Sequence, residues 1–89
     1  MRRFTKVPDM WFVRLYEIRA ERSTFQVALY LLREARWGPF VTLSSAALRK
    51  LGVGRDGKRS ALRQLRESGL IAVEERPNKN PVVKVRWLD

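Results

Sequence analysis

The sequence predicts an α+β domain, mainly helical, closed by a β-hairpin. Three observations predict it. Apolar residues recur at helical spacing through most of the chain. Short Gly- and Pro-bearing stretches punctuate those patterns. An alternating apolar and basic run follows the turn chemistry of Pro77-Asn78-Lys79-Asn80-Pro81. No repeat, low-complexity segment or internal linker interrupts the pattern. All 89 residues therefore read as one domain with a single modest core.

The elements follow in order. Pro8 leads into a first helical pattern with Asp9 as its N-cap, and Trp11, Phe12, Leu15, Tyr16 and Ile18 repeat until about Ala20. Ser23 or Thr24 caps a second pattern, whose wide apolar stripe is Phe25, Ala28, Leu29, Leu31, Leu32 and Ala35. Trp37-Gly38-Pro39 stops it, since Gly suits a helix C-cap and Pro cannot continue the helix. Phe40-Val41-Thr42-Leu43 is a short β-prone run. Ser44 caps a short helix from Ser45 to about Leu51 that buries Ala47, Leu48 and Leu51. After the turn Gly52-Val53-Gly54, a third long pattern runs from Arg55 to Ser68 and stops at Gly69. Strands are expected over Leu70 to Glu75 and Val82 to Leu88. Val83, Val85 and Trp87 then supply the inner face, while Lys84 and Arg86 keep an edge strand soluble.

Composition restricts the function. Nineteen Lys and Arg against nine Asp and Glu give a formal charge of +10. Self-repulsion on that scale opposes compaction and points to a polyanionic partner, nucleic acid before an anionic membrane surface. The hydrophobic fraction of 45% is ample for folding, so this is not a disordered basic tail. The chain has no cysteine, hence no disulfide frame and no thiolate nucleophile, and no histidine, the commonest general base and metal ligand. Its acids are scattered singly apart from Glu74-Glu75, whose side chains would point to opposite faces of a strand. Ser44-Ser45 has no base nearby in sequence, and no phosphate-cradling Gly-rich loop occurs. No enzyme, metal, cofactor or small-molecule ligand is expected. With no apolar run long enough to span a bilayer and no signal-peptide pattern, the expected location is cytoplasmic, associated with the nucleoid.

The stretch from Val41 to Leu88 carries a Ser-capped helix, Leu-Gly-Val at a turn and Ala-Leu-x-x-Leu in the next helix. Glu-Ser-Gly-Leu-Ile follows at the end of that helix, and then a charged hairpin. In that order these features resemble winged helix-turn-helix domains, especially the small prokaryotic regulators carried by phages and plasmids. The resemblance covers a little over half the chain. It implies a helix-turn-helix at 44–68, a wing at 70–88, sequence-specific DNA binding and, commonly, homodimers. Residues 1–22 become an N-terminal helical extension. One departure stands out: Lys58 occupies a core-facing position where the family carries Val or Ile. With Gly57 beside it, this points to a helix that starts later or seats differently.

At about 100° per residue, Ala61, Leu62 and Leu65 form one stripe of this helix. Asp56, Arg59, Ser60, Arg63 and Glu67 lie opposite, with Arg55 and Arg66 on a flank. Between Arg49 and Arg66 stand seven cations and one acid, Asp56. A solvated helix more often mixes signs so that i,i+4 pairs form, whereas Arg59 and Arg63 are a like-charge pair. Five of the seven are Arg, which reads guanine edges and phosphate in bidentate fashion. The reading is a helix laid in the major groove of double-stranded DNA. The expected DNA-binding set is Ser44, Ser45, Arg49, Arg55, Asp56, Lys58, Arg59, Ser60, Arg63 and Arg66. At the hairpin tip it adds Arg76, Asn78, Lys79 and Asn80, placed on the backbone or minor groove.

Trp11, Phe12, Tyr16 and Phe25 read most simply as core. A dimer interface of Trp11, Phe12, Leu15 and Tyr16 is the rival reading, and the favoured one for the first helix. The expected function is a transcriptional regulator. The alternatives are a replication or excision accessory factor that shapes DNA, and a winged helix used on structured RNA or as a protein-docking module.

Overall fold

The computed structural model describes residues 7–88. Pro8, held at φ −60° and ψ 147°, launches α1 over Asp9–Glu17. Asp9 is thus the first helical residue, not the cap, and its carboxylate still faces the positive end of the helix dipole. α1 stops earlier than its apolar pattern. Arg19 turns to φ 51°, its N–H meets the Tyr16 carbonyl at 3.2 Å, and the Ala20 N–H meets that of Leu15 at 3.2 Å. This is a Schellman stop built on a non-glycine residue.

α2 spans Arg22–Glu34 and runs into a 3₁₀ turn over Ala35–Trp37. Neither Ser23 nor Thr24 caps it, since Glu21 holds the cap position and no side chain bonds there. Thr24 is instead fully buried, and its hydroxyl donates to the Gln64 side-chain carbonyl of α4, the helix over Arg55–Glu67. A tertiary partner outcompetes the local cap. That burial rotates the inward arc of α2 onto Thr24, Val27, Ala28, Leu31 and Leu32, leaving the expected core residues Phe25 and Leu29 exposed.

β1 is Phe40–Thr42, α3 is Ser45–Lys50, β2 is Ile71–Arg76 and β3 is Lys79–Val85. α3 and α4 repeat the stop seen at α1, with Gly52 and Gly69 at the left-handed position and with Val53 and Leu70 returning their N–H groups to Leu48 and Leu65. In both cases the two apolar residues so joined are buried together. Leu51, expected in the core, caps α3 and points outward. α4 begins where its pattern begins, so Lys58 and Gly57 delay nothing. Gly57 has a packing reason: a Cβ there would lie 3.2 Å from the Cβ of Ser23 and 3.3 Å from a methyl of Val53. The missing side chain lets α4 approach α2.

The three strands form one antiparallel sheet in the order β1-β3-β2. Arg76 pairs with Lys79, so the connecting turn is only Pro77-Asn78, with Asn78 at φ 57°. Pro followed by a positive-φ Asn is type II chemistry. β3 therefore starts earlier than expected, and it takes in Pro81 where the pairing with β2 is irregular between Glu74 and Arg76. At such an irregularity a missing N–H is tolerated. β3 is the central strand, so Lys84 does not sit on an edge, and Arg86 lies just beyond the strand. The alternation also ends there: Trp87 turns to φ 59°, leaves the inner face, and donates its indole N–H to the Gly69 carbonyl at 3.1 Å.

The core lies between the inner face of the sheet and the helices. Val41, Ile71, Val83 and Val85 meet Leu31, Leu43, Leu48, Leu65 and Leu70. Trp11 (0% exposed) and Leu15 (4%) close one end, and the Trp11 indole donates to the Arg86 carbonyl at 2.6 Å. These two residues are core and cannot be dimer contacts, which corrects half of the expected interface. No helix among the described residues is long and apolar enough to cross a membrane.

Candidate nucleic-acid interface

Ser44 caps α3, its hydroxyl accepting from the Ala47 N–H at 3.3 Å. That bond sets the direction of α3 and places Ser45 at its first turn. The Lys58 ammonium reaches across to donate to the Ser45 hydroxyl at 2.8 Å. Partial burial holds the Lys58 pKa below the ordinary lysine value, because desolvation disfavours the ammonium. Lys58 is therefore neither a core residue nor a freely solvated one.

Two adjoining clefts share Ser45 and Lys58. The first lies between α3 and the start of α4, where Arg49 and Arg55 join them above Leu48 and Val53. The second, more open, lies between Thr42 and the hairpin tip, where Arg76, Asn78, Lys79 and Asn80 join them. Eight of the expected contact residues thus meet around one hinge of the fold, although they come from α3, α4 and the hairpin. Thr42 was missed by the sequence reading. Its signal was the alternation with buried Val41, which turns Thr42 outward.

The other expected residues divide. Arg59, Arg63 and Arg66 are exposed on the outward side of α4, and so are the two acids of that side, Asp56 and Glu67. Ser60 is half-buried on the same flank as Gly57 and Gln64, which face α2, so it lies at the margin of the arginine stripe. Arg76 folds back on its own hairpin and donates to the Asn80 carbonyl at 3.0 Å, while its Nε is buried without a partner. It shapes the tip more than it reaches outward. Asn78, Lys79 and Asn80 are exposed.

The electrostatics are one-sided. Among the described residues the ion pairs are Arg14 with Glu17 at 3.7 Å and Arg33 with Glu34 at 3.5 Å. Among the described residues no carboxylate lies within pairing distance of Arg49, Lys50, Arg55, Lys58, Arg59, Arg63, Arg66 or Lys79. Unpaired cations on a rigid helix and a neighbouring tip make a field that attracts a polyanion. Among the described residues no group of acids, Cys or His is placed to hold a metal ion. Comparison with protein-family models, with curated proteins and with solved structures found no match for this chain. The functional reading accordingly rests on residues and geometry.

Proposed function

We propose that the protein is a winged helix-turn-helix domain that binds double-stranded DNA sequence-specifically and serves as a transcriptional regulator. In this reading α3 and α4 are the helix-turn-helix, α4 enters the major groove, and the β2–β3 hairpin is the wing on the adjacent backbone. The element order and the sheet order β1-β3-β2 support it. One observation carries it: Arg55, Arg59, Arg63 and Arg66 stand exposed on one side of a helix, with no ion-pair partner among the described residues. Solvation alone would not require arginine at all four positions. A homodimer belongs to this reading, because two-fold symmetry matches paired half-sites. Its contacts now rest on Phe12 and Tyr16, which remain exposed on α1.

The test is competition among duplex DNA, duplex RNA and heparin for the same labelled protein, repeated across salt. Duplex DNA should win. Log K should fall with log salt by about 0.9 per neutralised phosphate, giving a slope of about −4 to −7 for one protomer. Equal affinity for all three polyanions, or binding insensitive to salt, would remove the groove-binding reading.

A further inference from the structure

A second basic surface lies around the end of β3, and it differs in kind. Trp37 (78% exposed) and Phe40 (66% exposed) bracket Gly38-Pro39. The bracket is rigid. Gly38 takes φ 144°, which a side chain rarely permits, and its N–H bonds the Ala35 carbonyl at 3.0 Å. The Pro39 carbonyl accepts from the Val85 N–H at 2.7 Å, fixing this segment against β3. Phe40 is the cross-strand partner of Lys84, so both side chains stand on the outer face of the sheet, with Nζ 5.9 Å from the ring centre. The Arg36 guanidinium lies 4.9 Å from the Trp37 ring centre, and that of Arg86 lies 5.8 Å from the Trp87 ring centre.

Three exposed rings, each attended by a cation that has no acidic partner among the described residues, are not a solvated face, because exposing large aromatics forgoes their burial energy. They are poorly suited to a second copy of this chain, since apposing these cations would add to the repulsion of a molecule already at +10. They are also wasted on duplex DNA, whose bases are already stacked. We infer that this face is a single-stranded nucleic-acid platform, on which unpaired bases stack on Trp37 and Phe40 while Lys84 and Arg86 hold the phosphates. Together with α4 it would place the protein where a duplex meets a melted strand. The platform does not depend on the duplex reading.

The test uses the full chain with oligo(dT) of roughly 12 nucleotides, an abasic oligomer of the same length, and a duplex, all at one salt concentration. Oligo(dT) should bind at least about tenfold tighter than the abasic oligomer and quench tryptophan fluorescence, because only it can stack. Trp37→Ala with Phe40→Ala should bring oligo(dT) down to the abasic level and leave duplex affinity and melting temperature unchanged. Lys84→Ala should weaken both oligomers alike. Arg59→Ala with Arg63→Ala should weaken the duplex and leave the ratio of oligo(dT) to abasic binding intact, which separates failure of one face from failure of the other. Equal binding of the two oligomers by the unmodified protein would overturn the platform without recourse to any variant. A double variant that changes sedimentation while its oligo(dT) affinity stays the same would overturn it too, and would reassign the face to protein contact.

Discussion

The Lys58 ammonium donates to the Ser45 hydroxyl at 2.8 Å, tying the first turn of α4 to the first turn of α3. A lysine at a position that faces inward on the helix keeps a charge at the junction of two clefts, at a cost in desolvation. Lys58→Ile should therefore stabilise the fold, by about 1 kcal/mol from added apolar burial. It should weaken duplex binding roughly tenfold, the size of one charge-assisted hydrogen bond. The pH dependence has a definite sign. Because the folded-state pKa of Lys58 is lowered, the unfolded chain binds more protons between that value and the ordinary one. The Lys58 contribution to stability thus rises with pH across that alkaline window, and the penalty is full below it. Denaturant unfolding of the two proteins should show the advantage of Lys58→Ile shrinking as pH climbs. An advantage that widens instead would contradict the burial of a charged ammonium.

Position on the interface should divide the basic residues by role. Arg59→Ala and Arg63→Ala, on the outer face of α4, should each cost about 1–3 kcal/mol on a preferred site and relax base choice there. Arg49→Ala and Lys79→Ala flank the clefts and should weaken all duplexes more evenly, as phosphate contacts do. Selection from a random duplex library followed by titration checks both. If Arg59 and Arg63 variants lose the same affinity for selected and random duplexes, α4 is not the reading element.

Much of the fold was legible because its signals are local. Helix stops at Gly52 and Gly69, the Ser44 cap and the Pro-Asn turn each act within a few residues. What was not legible depends on partners distant in sequence. Thr24 reads as a cap until Gln64, forty positions on, takes its hydroxyl. Once Thr24 is inside, the exposure of Phe25 and Leu29 follows. Gly57 reads as a helix weakener until α2 comes close enough to need its missing Cβ. At the site, the arginine stripe was visible from periodicity alone. The meeting of Ser45, Lys58 and the hairpin tip needed the sheet to bring residues 78–80 back beside α3. The aromatic face at Trp37 and Phe40 was hidden for the same reason, since Lys84 reaches Phe40 only through the pairing of β1 with β3.

The three Schellman stops invite a direct comparison. α3 and α4 end on Gly52 at φ 83° and Gly69 at φ 82°, but α1 ends on Arg19 at φ 51°. A left-handed non-glycine costs about 1–2 kcal/mol, part of which glycine returns through its greater freedom in the unfolded chain. Arg19→Gly should therefore stabilise by about 0.5–1 kcal/mol, raising the melting temperature by roughly 2–8 °C. Arg19→Ala keeps the Cβ and should give no such gain. Thermal unfolding of the two variants decides whether the strain is real.

The outer face of α1 carries the remaining claim of pairing between copies. Phe12 is 68% exposed and Tyr16 is 80% exposed, one helical turn apart, while Trp11 and Leu15 on the inward side are closed off by the core. The two sides of the helix should respond oppositely to the same substitution. Trp11→Glu removes the indole hydrogen bond to Arg86 and buries a carboxylate, so it should unfold the domain, at a cost of more than about 3 kcal/mol. Phe12→Glu with Tyr16→Glu touches only exposed positions and should leave the melting temperature nearly unchanged. If two copies pair through this face, the unmodified protein sediments as a dimer at micromolar concentration and the Phe12, Tyr16 double variant as a folded monomer. That monomer should bind a single half-site and lose the affinity gained from two half-sites spaced by a helical turn. A clean monomer for the unmodified protein, with and without duplex, would defeat the pairing and leave those two rings without a role.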